Sequence, residues 1–260
     1  MTRKNIGFVG TGAITEAMVR GLLAEPAYAS AIHLSPRNAD IAARLAAEFD
    51  AVQVAPDNQA VVDRSDMVFL AIRPQVAEGV VRELVFRDGQ PVVSVIAATD
   101  RQTLLEWIGA EVHLVQAIPL PFVSERRGVT AILPPDAETA ALFNALGTAV
   151  ECASRKEYDL LAAASALMST YFGIMEFATA WLEENGLEQA KGRAYLAPLF
   201  ESLAQRAHES ALESFGALSA EFATRGGLNE QVLSDFETKG GRLALTDALS
   251  RVFARIEGRD

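Results

Sequence analysis

Apolar residues fall into two regimes along this chain. Up to about residue 154 they form short runs separated by stretches of helical periodicity. The first run is Ile6, Phe8 and Val9, followed at once by Gly10-Thr11-Gly12, and then by Ile14, Ala17, Met18, Gly21 and Leu22 at helical spacing. This reads as strand, tight turn and amphipathic helix. Further strands are expected at Ala31–Ser35, Val52–Val54, Asp66–Ile72, Pro91–Ile96, Val112–Ile118, Val129–Leu133 and Ala149–Cys152. Helices are expected between them: one carrying Ile41, Leu45 and Phe49, a short one over Asp57–Asp63, and others over Pro74–Leu84, Arg101–Ile108 and Asp136–Leu146. The run DMVFLAI at Asp66–Ile72 is apolar throughout, as strands covered on both faces are.

From Glu157 onward no strand pattern remains. Leu160–Leu182 is a long apolar helical stretch ended by Asn185-Gly186, Glu188–Phe215 is a second, and Asn229–Phe236 and Arg242–Ile256 are shorter ones. Strands alternating with helices imply a mostly parallel sheet with right-handed crossovers. The expected fold is therefore α/β: a Rossmann-type dinucleotide-binding domain over residues 1–154 and an all-α domain over 155–260. After Asp159 the long apolar helix has no charge until Glu176. A helix apolar on most of its circumference wants cover on several sides, so a homodimer or higher homo-oligomer through the C-terminal helices is expected.

The opening strand–turn–helix carries the first chemistry. Gly10 permits the turn, Gly12 lets a pyrophosphate approach the backbone, and the N–H groups at the helix start, from Ala13 and Ile14, face the anion. Thr15 stands where the usual fingerprint has a third glycine. Dinucleotide sites selective for a free 2′-hydroxyl usually have Asp or Glu at the end of the second strand. Here the sequence reads His33-Leu34-Ser35-Pro36-Arg37-Asn38, with a hydroxyl and a guanidinium in its place. Ser35 and Arg37 are thus expected to receive a 2′-phosphate, which points to NADP(H). Either Ser35 or Asn38 can instead cap the next helix.

Composition narrows the partners. Of 260 residues half are hydrophobic, and the net charge is −11, which disfavours a nucleic-acid partner. The single cysteine, Cys152, rules out an internal disulfide framework and suits a reducing compartment. No run of about 18 uninterrupted apolar residues occurs and the N-terminus lacks a secretion-signal pattern, so no membrane contact and a cytoplasmic location are expected. No His, Cys and carboxylate grouping has metal-ligand spacing.

IGFVGTGAITEAMVRGL, Asp57-Asn58, DMVFLAIRPQ, VVSVIAATD, IPLPFVSERRGVTAI and TRGGLNEQVLSDFETKGGRLALTDAL follow in that order along the chain. Together they resemble the pyrroline-5-carboxylate reductase family over nearly its full length. The resemblance implies a Rossmann domain followed by a helical dimerisation domain, and reduction of the cyclic imine 1-pyrroline-5-carboxylate to proline with NAD(P)H, a step of proline biosynthesis. It places cofactor contacts at Gly10, Thr11, Gly12, Ala13, Ile14, Asn58, Ala71, Ile72, Arg73, Pro74 and Ala97. Arg73 replaces a lysine usual in the family, and Thr99 replaces a glycine.

The substrate motifs depart from the family. Met-Pro-Asn-Thr-Pro has become Ile118-Pro119-Leu120-Pro121-Phe122. Ser-Gly-Ser-Gly-Pro-Ala-Tyr has become Ser165-Ala166-Leu167-Met168-Ser169-Thr170-Tyr171. The carboxylate-binding Ser-Pro-Gly-Gly-Thr-Thr loop has become Thr224-Arg225-Gly226-Gly227-Leu228-Asn229. Thr224, Arg225, Gly226, Gly227 and Asn229 remain the substrate-binding candidates, the alternative being a glycine linker with Asn229 as a helix cap. Tyr171, Ser169 and Thr170 are the candidate acids by this resemblance, should one be needed, and Tyr171 is the one chosen as catalytic. The added apolar residues imply a substrate bulkier or less polar than pyrroline carboxylate.

Other readings stay open. A β-hydroxyacid dehydrogenase has the same domain order but uses a lysine with an asparagine one turn on, whereas here Lys156 is followed by Leu160. An F420-dependent NADP reductase fits the glycine turn and Ser-Pro-Arg, yet leaves the helical C-terminal part without a role. A non-catalytic NADP-binding regulator fits the eroded substrate motifs.

Overall fold

The structure, a computed structural model, describes residues 4–24 and 27–259. Its first unit is built on an eight-stranded sheet in the order β3-β2-β1-β4-β5-β6-β7-β8. The strands are β1 (Lys4–Val9), β2 (Ala29–Leu34), β3 (Val52–Val54), β4 (Met67–Leu70), β5 (Pro91–Ser94), β6 (His113–Pro119), β7 (Gly128–Leu133) and β8 (Gly147–Glu151). All neighbours are parallel except β6 and β7. Parallel neighbours need a long crossover. Only a 3₁₀ turn at Pro121–Glu125 lies between β6 and β7, so that pair is antiparallel.

The helices of this unit are α1 (Ala13–Leu23), α2 (Ala39–Glu48), α3 (Asn58–Arg64), α4 (Pro74–Arg82), α5 (Arg101–Ile108) and α6 (Ala137–Ala145). Asp57, Asp100 and Asp136 cap α3, α5 and α6 by accepting backbone N–H groups. Two cores result. One packs Phe8, Met18, Leu22, Leu45, Phe69 and Phe143 on the α1 and α6 face. Phe8 stacks on Phe69 at 4.9 Å between centroids, and Phe69 meets Phe143 edge-on. The other core packs Val61, Val68, Leu70, Val81, Val92 and Leu104 against α3, α4 and α5. All four residues of β4 are buried, as the uninterrupted apolar run predicts.

The chain divides into compact units at residues 1–162 and 163–260, inside α7 (Arg155–Ser165) and a little beyond the boundary expected at 154. The start of α7 belongs with the sheet because Tyr158 packs with Ala131 and Cys152. The second unit is helical: α8 (Leu167–Glu184), α9 (Gln189–Glu209), α10 (Phe215–Phe222), α11 (Leu228–Thr238) and α12 (Gly241–Ile256).

Two expectations are corrected there. The stretch read as one helix from Leu160 is α7 and α8, with a turn at Ala166 between them. The stretch read as continuing to Phe215 ends at Glu209, because Ser214 accepts the Ala217 N–H and starts a new helix. No residue of α8 is buried: Phe177 and Trp181 are 73% and 61% exposed. By length and composition the helical run Arg155–Glu184 is apolar enough to cross a membrane, a property that counting uninterrupted apolar residues did not register.

Candidate functional site

The order of strands reverses direction between β1 and β4, and in sheets of this kind ligands bind outside the carboxyl ends at such a point. A cavity of about 610 Å³ lies there, lined by the glycine turn (Gly10, Thr11, Gly12), by Arg37, Asn38, Ala39 and Asp40, and by Ala71, Ile72, Arg73 and Val76.

Gly10 sits at φ +103°, and a Cβ there would stand 2.2 Å from the Ala71 carbonyl oxygen, so only glycine lets β1 and β4 end side by side. Both its backbone groups are held from inside. Its N–H donates to Ser35 Oγ at 2.9 Å, and its carbonyl accepts from Thr15 Oγ1 at 2.7 Å. The Thr11 hydroxyl donates to the Ser35 carbonyl at 2.8 Å, which leaves Ser35 as donor in the 3.1 Å contact between the two hydroxyls. Ser35 and Thr15 are fully buried. The hydroxyl expected to face a phosphate is thus committed to bracing the turn, and Thr15 uses the place of the third glycine for a second brace.

Gly12 differs: nothing lies within 4 Å of where its Cβ would be. It is the N-cap of α1 and no side chain caps that helix, so the first-turn N–H groups of Ala13 and Ile14 are free of helix partners. The acidic residue of that turn, Glu16, is tied up by Arg44 at 2.6 Å and Arg20 at 3.0 Å. Arg44 in particular, with Arg20, holds its carboxyl below the usual range against the opposing effect of burial. Its charge is therefore offset by two guanidinium groups. This arrangement of an open glycine, unpartnered N–H groups and a helix dipole fits a dinucleotide pyrophosphate.

At the outer end of the cavity Arg37 is exposed, and Asn38 is the N-cap of α2 without using its side chain. Asp40, in the first turn of α2, brings a carboxylate into the same lining, which the sequence reading missed. Its signal was available: it lies three residues beyond Arg37. Arg73 is exposed at the N-cap of α4, with Pro74 opening the helix. Of the remaining expected contacts, Asn58 opens α3 and Ala97 follows β5; neither lines this cavity.

In the helical unit the expected substrate loop has partners within its own chain. Gly226 is at φ +72° and its N–H donates to Glu230 Oε2 at 2.5 Å. Asn229 is not the cap of α11: Gly227 is, and Asn229 Nδ2 reaches back to the Phe222 carbonyl at 2.8 Å. A Cβ on Gly227 would meet Thr224 Oγ1 at 2.3 Å. Arg225 is exposed. Tyr171 lies on α8 with its ring edge-on to Phe172 and Phe200. Leu167, Met168 and, in the first unit, Phe122 are exposed apolar residues. Among the described residues no group of His, Cys, Asp and Glu is placed to hold a metal.

Comparison with known proteins extends this picture. The family described as NADP oxidoreductase, coenzyme F420-dependent, matches residues 5–98, the half that carries the glycine turn. The pyrroline-5-carboxylate reductase of Pseudomonas aeruginosa is 25% identical over 265 residues, covering 98% of this chain and 96% of that protein. Among solved structures, a pyrroline-5-carboxylate reductase from Coxiella burnetii superimposes with a TM-score of 0.88 at 24% identity, covering 100% of this chain and 99% of that one. An imine reductase from Aspergillus terreus, in complex with NADPH4 and dibenz[c,e]azepine, shares the fold more loosely, with a TM-score of 0.57 at 16% identity over 100% of this chain and 96% of that one. Along nearly its whole length this chain is thus similar in sequence to the Pseudomonas aeruginosa pyrroline-5-carboxylate reductase, and it shares its fold with the Coxiella burnetii one.

Proposed function

We propose that the protein is an NADPH-dependent reductase of cyclic imines, with a substrate bulkier or less polar than 1-pyrroline-5-carboxylate. The observation that carries the cofactor half is the glycine turn: its backbone is braced from within by Ser35 and Thr15, and it opens outward at Gly12 onto the cavity. An NADPH preference is supported by Arg37, an exposed guanidinium in the cavity lining, and by the lack of a carboxylate at the end of β2 itself. Ala71, Ile72 and Arg73 border the same cleft at the end of β4, Pro74 opens the helix that follows, and Asn58 and Ala97 follow the ends of β3 and β5.

When bound, the nicotinamide supplies the hydride that reduces the C=N carbon. What the protein contributes is binding and orientation. A cyclic iminium arrives already protonated; for a neutral imine, the Tyr171 phenol is the proton donor we assign. The chain's own groups support a substrate without a carboxylate. Glu230 already occupies the Gly226 N–H, and the Asn229 amide is turned onto Phe222. Leu120, Leu167 and Met168 replace polar or small residues of the family's motifs with apolar surface, and Phe122 replaces a proline. The exposed apolar face of α8 suits a second copy of this chain, and a reducing cytoplasm suits the single buried Cys152.

The test is NADPH oxidation with 1-pyrroline, 1-pyrroline-5-carboxylate and six- and seven-membered cyclic imines, together with light scattering. Carboxylate-free or larger imines should exceed pyrroline carboxylate in kcat/KM by about tenfold, since a missing partner for a buried polar group rejects strongly. Preference for 1-pyrroline-5-carboxylate overturns the substrate assignment, and a clean monomer overturns the dimer. NADPH binding with no imine reduced would leave the non-catalytic regulator, which the altered substrate motifs favour, as the better reading.

A further inference from the structure

β5 ends at Ser94, and the chain then turns through Ala97, Ala98, Thr99 and Asp100 into α5. This turn lies at the carboxyl edge on the far side of the switch point from β2. A dinucleotide that places its pyrophosphate at Gly12 and its 2′-phosphate ribose at Arg37 extends its other nucleoside toward this side. Ala97 and Ala98 are exposed, and Ala98 takes φ +53°, a conformation that non-glycine residues rarely hold without support.

One support is visible at the far end: Asp100 caps α5 by accepting the Thr103 N–H at 2.9 Å. Within the turn the Thr99 hydroxyl donates to the Ala97 carbonyl at 3.3 Å, and a further support comes from Gln116, in the middle of β6 beside Ser94. Its Nε2 donates to the Thr99 carbonyl at 2.7 Å, and the side chain is buried. Its Oε1 is also buried and has no partner. A half-satisfied amide costs stability at a site where leucine would cost none. Its one bond serves only the turn.

We infer that Gln116 is a positioning residue for hydride transfer: it fixes the strained Ala97–Asp100 turn that borders the reactive end of the cofactor. This rests on the imine-reductase reading for its catalytic consequence, while its structural consequence stands apart from it. Gln116 is not part of the lining of the cavity formed by Gly10–Gly12 and Arg37, so the NADPH affinity set there should not depend on it.

The experiment compares wild type with Gln116→Leu and Gln116→Asn, the second amide being too short to reach Thr99. Hydrogen exchange of the segment spanning Ala97–Asp100 is measured in cofactor-free protein, alongside the NADPH Kd, the melting temperature and kcat. Exchange in the segment should rise at least about tenfold in both variants, with the NADPH Kd within about threefold of wild type and kcat down at least about tenfold. In Gln116→Leu the melting temperature should move little, because the unpaired oxygen is gone while the Thr99 carbonyl loses its donor. A merely structural role would lower the melting temperature and weaken NADPH while leaving kcat per folded molecule unchanged, and that result overturns the inference. So does unchanged exchange in either folded variant. If wild type reduces no imine, the functional reading fails, and the exchange measurement still decides whether Gln116 holds the turn.

Discussion

Two glycine loops in this molecule look alike in sequence and differ in where their polar groups find partners. Gly10-Thr11-Gly12 precedes α1, and Gly226-Gly227 precedes α11. In the first, side chains from behind, Ser35 and Thr15, satisfy the one residue that cannot face outward, and the helix N–H groups are left to a ligand. In the second, the chain's own Glu230 carboxylate accepts the Gly226 N–H, and the Asn229 amide is turned back onto the end of α10 at Phe222. A loop braced from inside presents a site, whereas a loop capped by its own Glu230 has filled the place that an anion would take. Glycine followed by a helix is therefore no measure of anion binding until the partners of its N–H groups are known.

The sharpest way to break the comparison is substitution of the glycines themselves. Gly10→Ala puts a methyl 2.2 Å from the Ala71 carbonyl at φ +103°. NADPH binding should be lost, and the melting temperature of the first unit should fall by about 2–4 °C for each kcal/mol of strain it absorbs. Gly12→Ala meets nothing within 4 Å in the protein, so the fold should be untouched. Its NADPH Kd, read by fluorescence titration, should rise by about 10–100-fold because the methyl stands where the pyrophosphate approaches. Gly226→Ala, at φ +72° with open space around it, should cost only about 1–2 kcal/mol of local strain. If Gly12→Ala binds NADPH normally, the outward-facing half of the turn is not the phosphate site.

The next effect in size concerns Arg37. A guanidinium–phosphate pair contributes about 1.5–3 kcal/mol, so Arg37→Ala should lower the NADPH/NADH affinity ratio by about tenfold or more. Asp40 opposes the same phosphate from the first turn of α2, and Asp40→Asn should raise the ratio severalfold. Isothermal titration with both cofactors measures these ratios, and a ratio unmoved by Arg37→Ala removes Arg37 from the phosphate site. Glu230→Ala tests the other loop. Freeing the Gly226 N–H should lower the KM for 1-pyrroline-5-carboxylate about fivefold while leaving 1-pyrroline unchanged, as one N–H gained by a carboxylate allows. Equal effects on both substrates would mean that the loop does not meet the carboxylate.

Much of this was legible in the chain. The strands of the sheet read from their apolar runs because burial on both faces leaves little room for polar residues, as in β4. The site's backbone was legible for the same reason: Gly10 is imposed by the crossing of β1 and β4, which is local. What failed depends on three-dimensional partners. Ser35 reads as an exposed phosphate ligand from its place after β2, and only the turn shows its hydroxyl pointing inward. Asn229 reads as a cap by residue type, yet the helix starts at Leu228 and its amide is spent on Phe222. The break at Ala166 escaped because no proline or glycine marks it.

The smallest expected effect sits behind the braced turn, two residues before Ser35. His33 lies on β2 opposite Gly7, whose lack of a side chain lets Ser65 pack where a Cβ would come within 2.2 Å of its hydroxyl. The imidazole is buried and its Nδ1 has no partner. Burial, and then the nearby Arg64, push its pKa below the ordinary histidine value, with Asp66 opposing. The unfolded chain therefore binds a proton at this residue at a higher pH than the fold does. Stability from His33 is fully present above the unfolded pKa of about 6.5 and is lost as pH falls below it. Melting temperature measured from about pH 7.5 down to about pH 5 should drop less steeply in His33→Leu than in wild type. Paired carboxylates such as Glu16 lose stability over a lower range, where their depressed pKa values lie, and both proteins share that loss. Because β2 carries Ser35 into the turn, the NADPH Kd of wild type should weaken over the same acid range more than that of the variant. Parallel melting curves for the two proteins across that range would show that the buried imidazole is not held neutral by the fold.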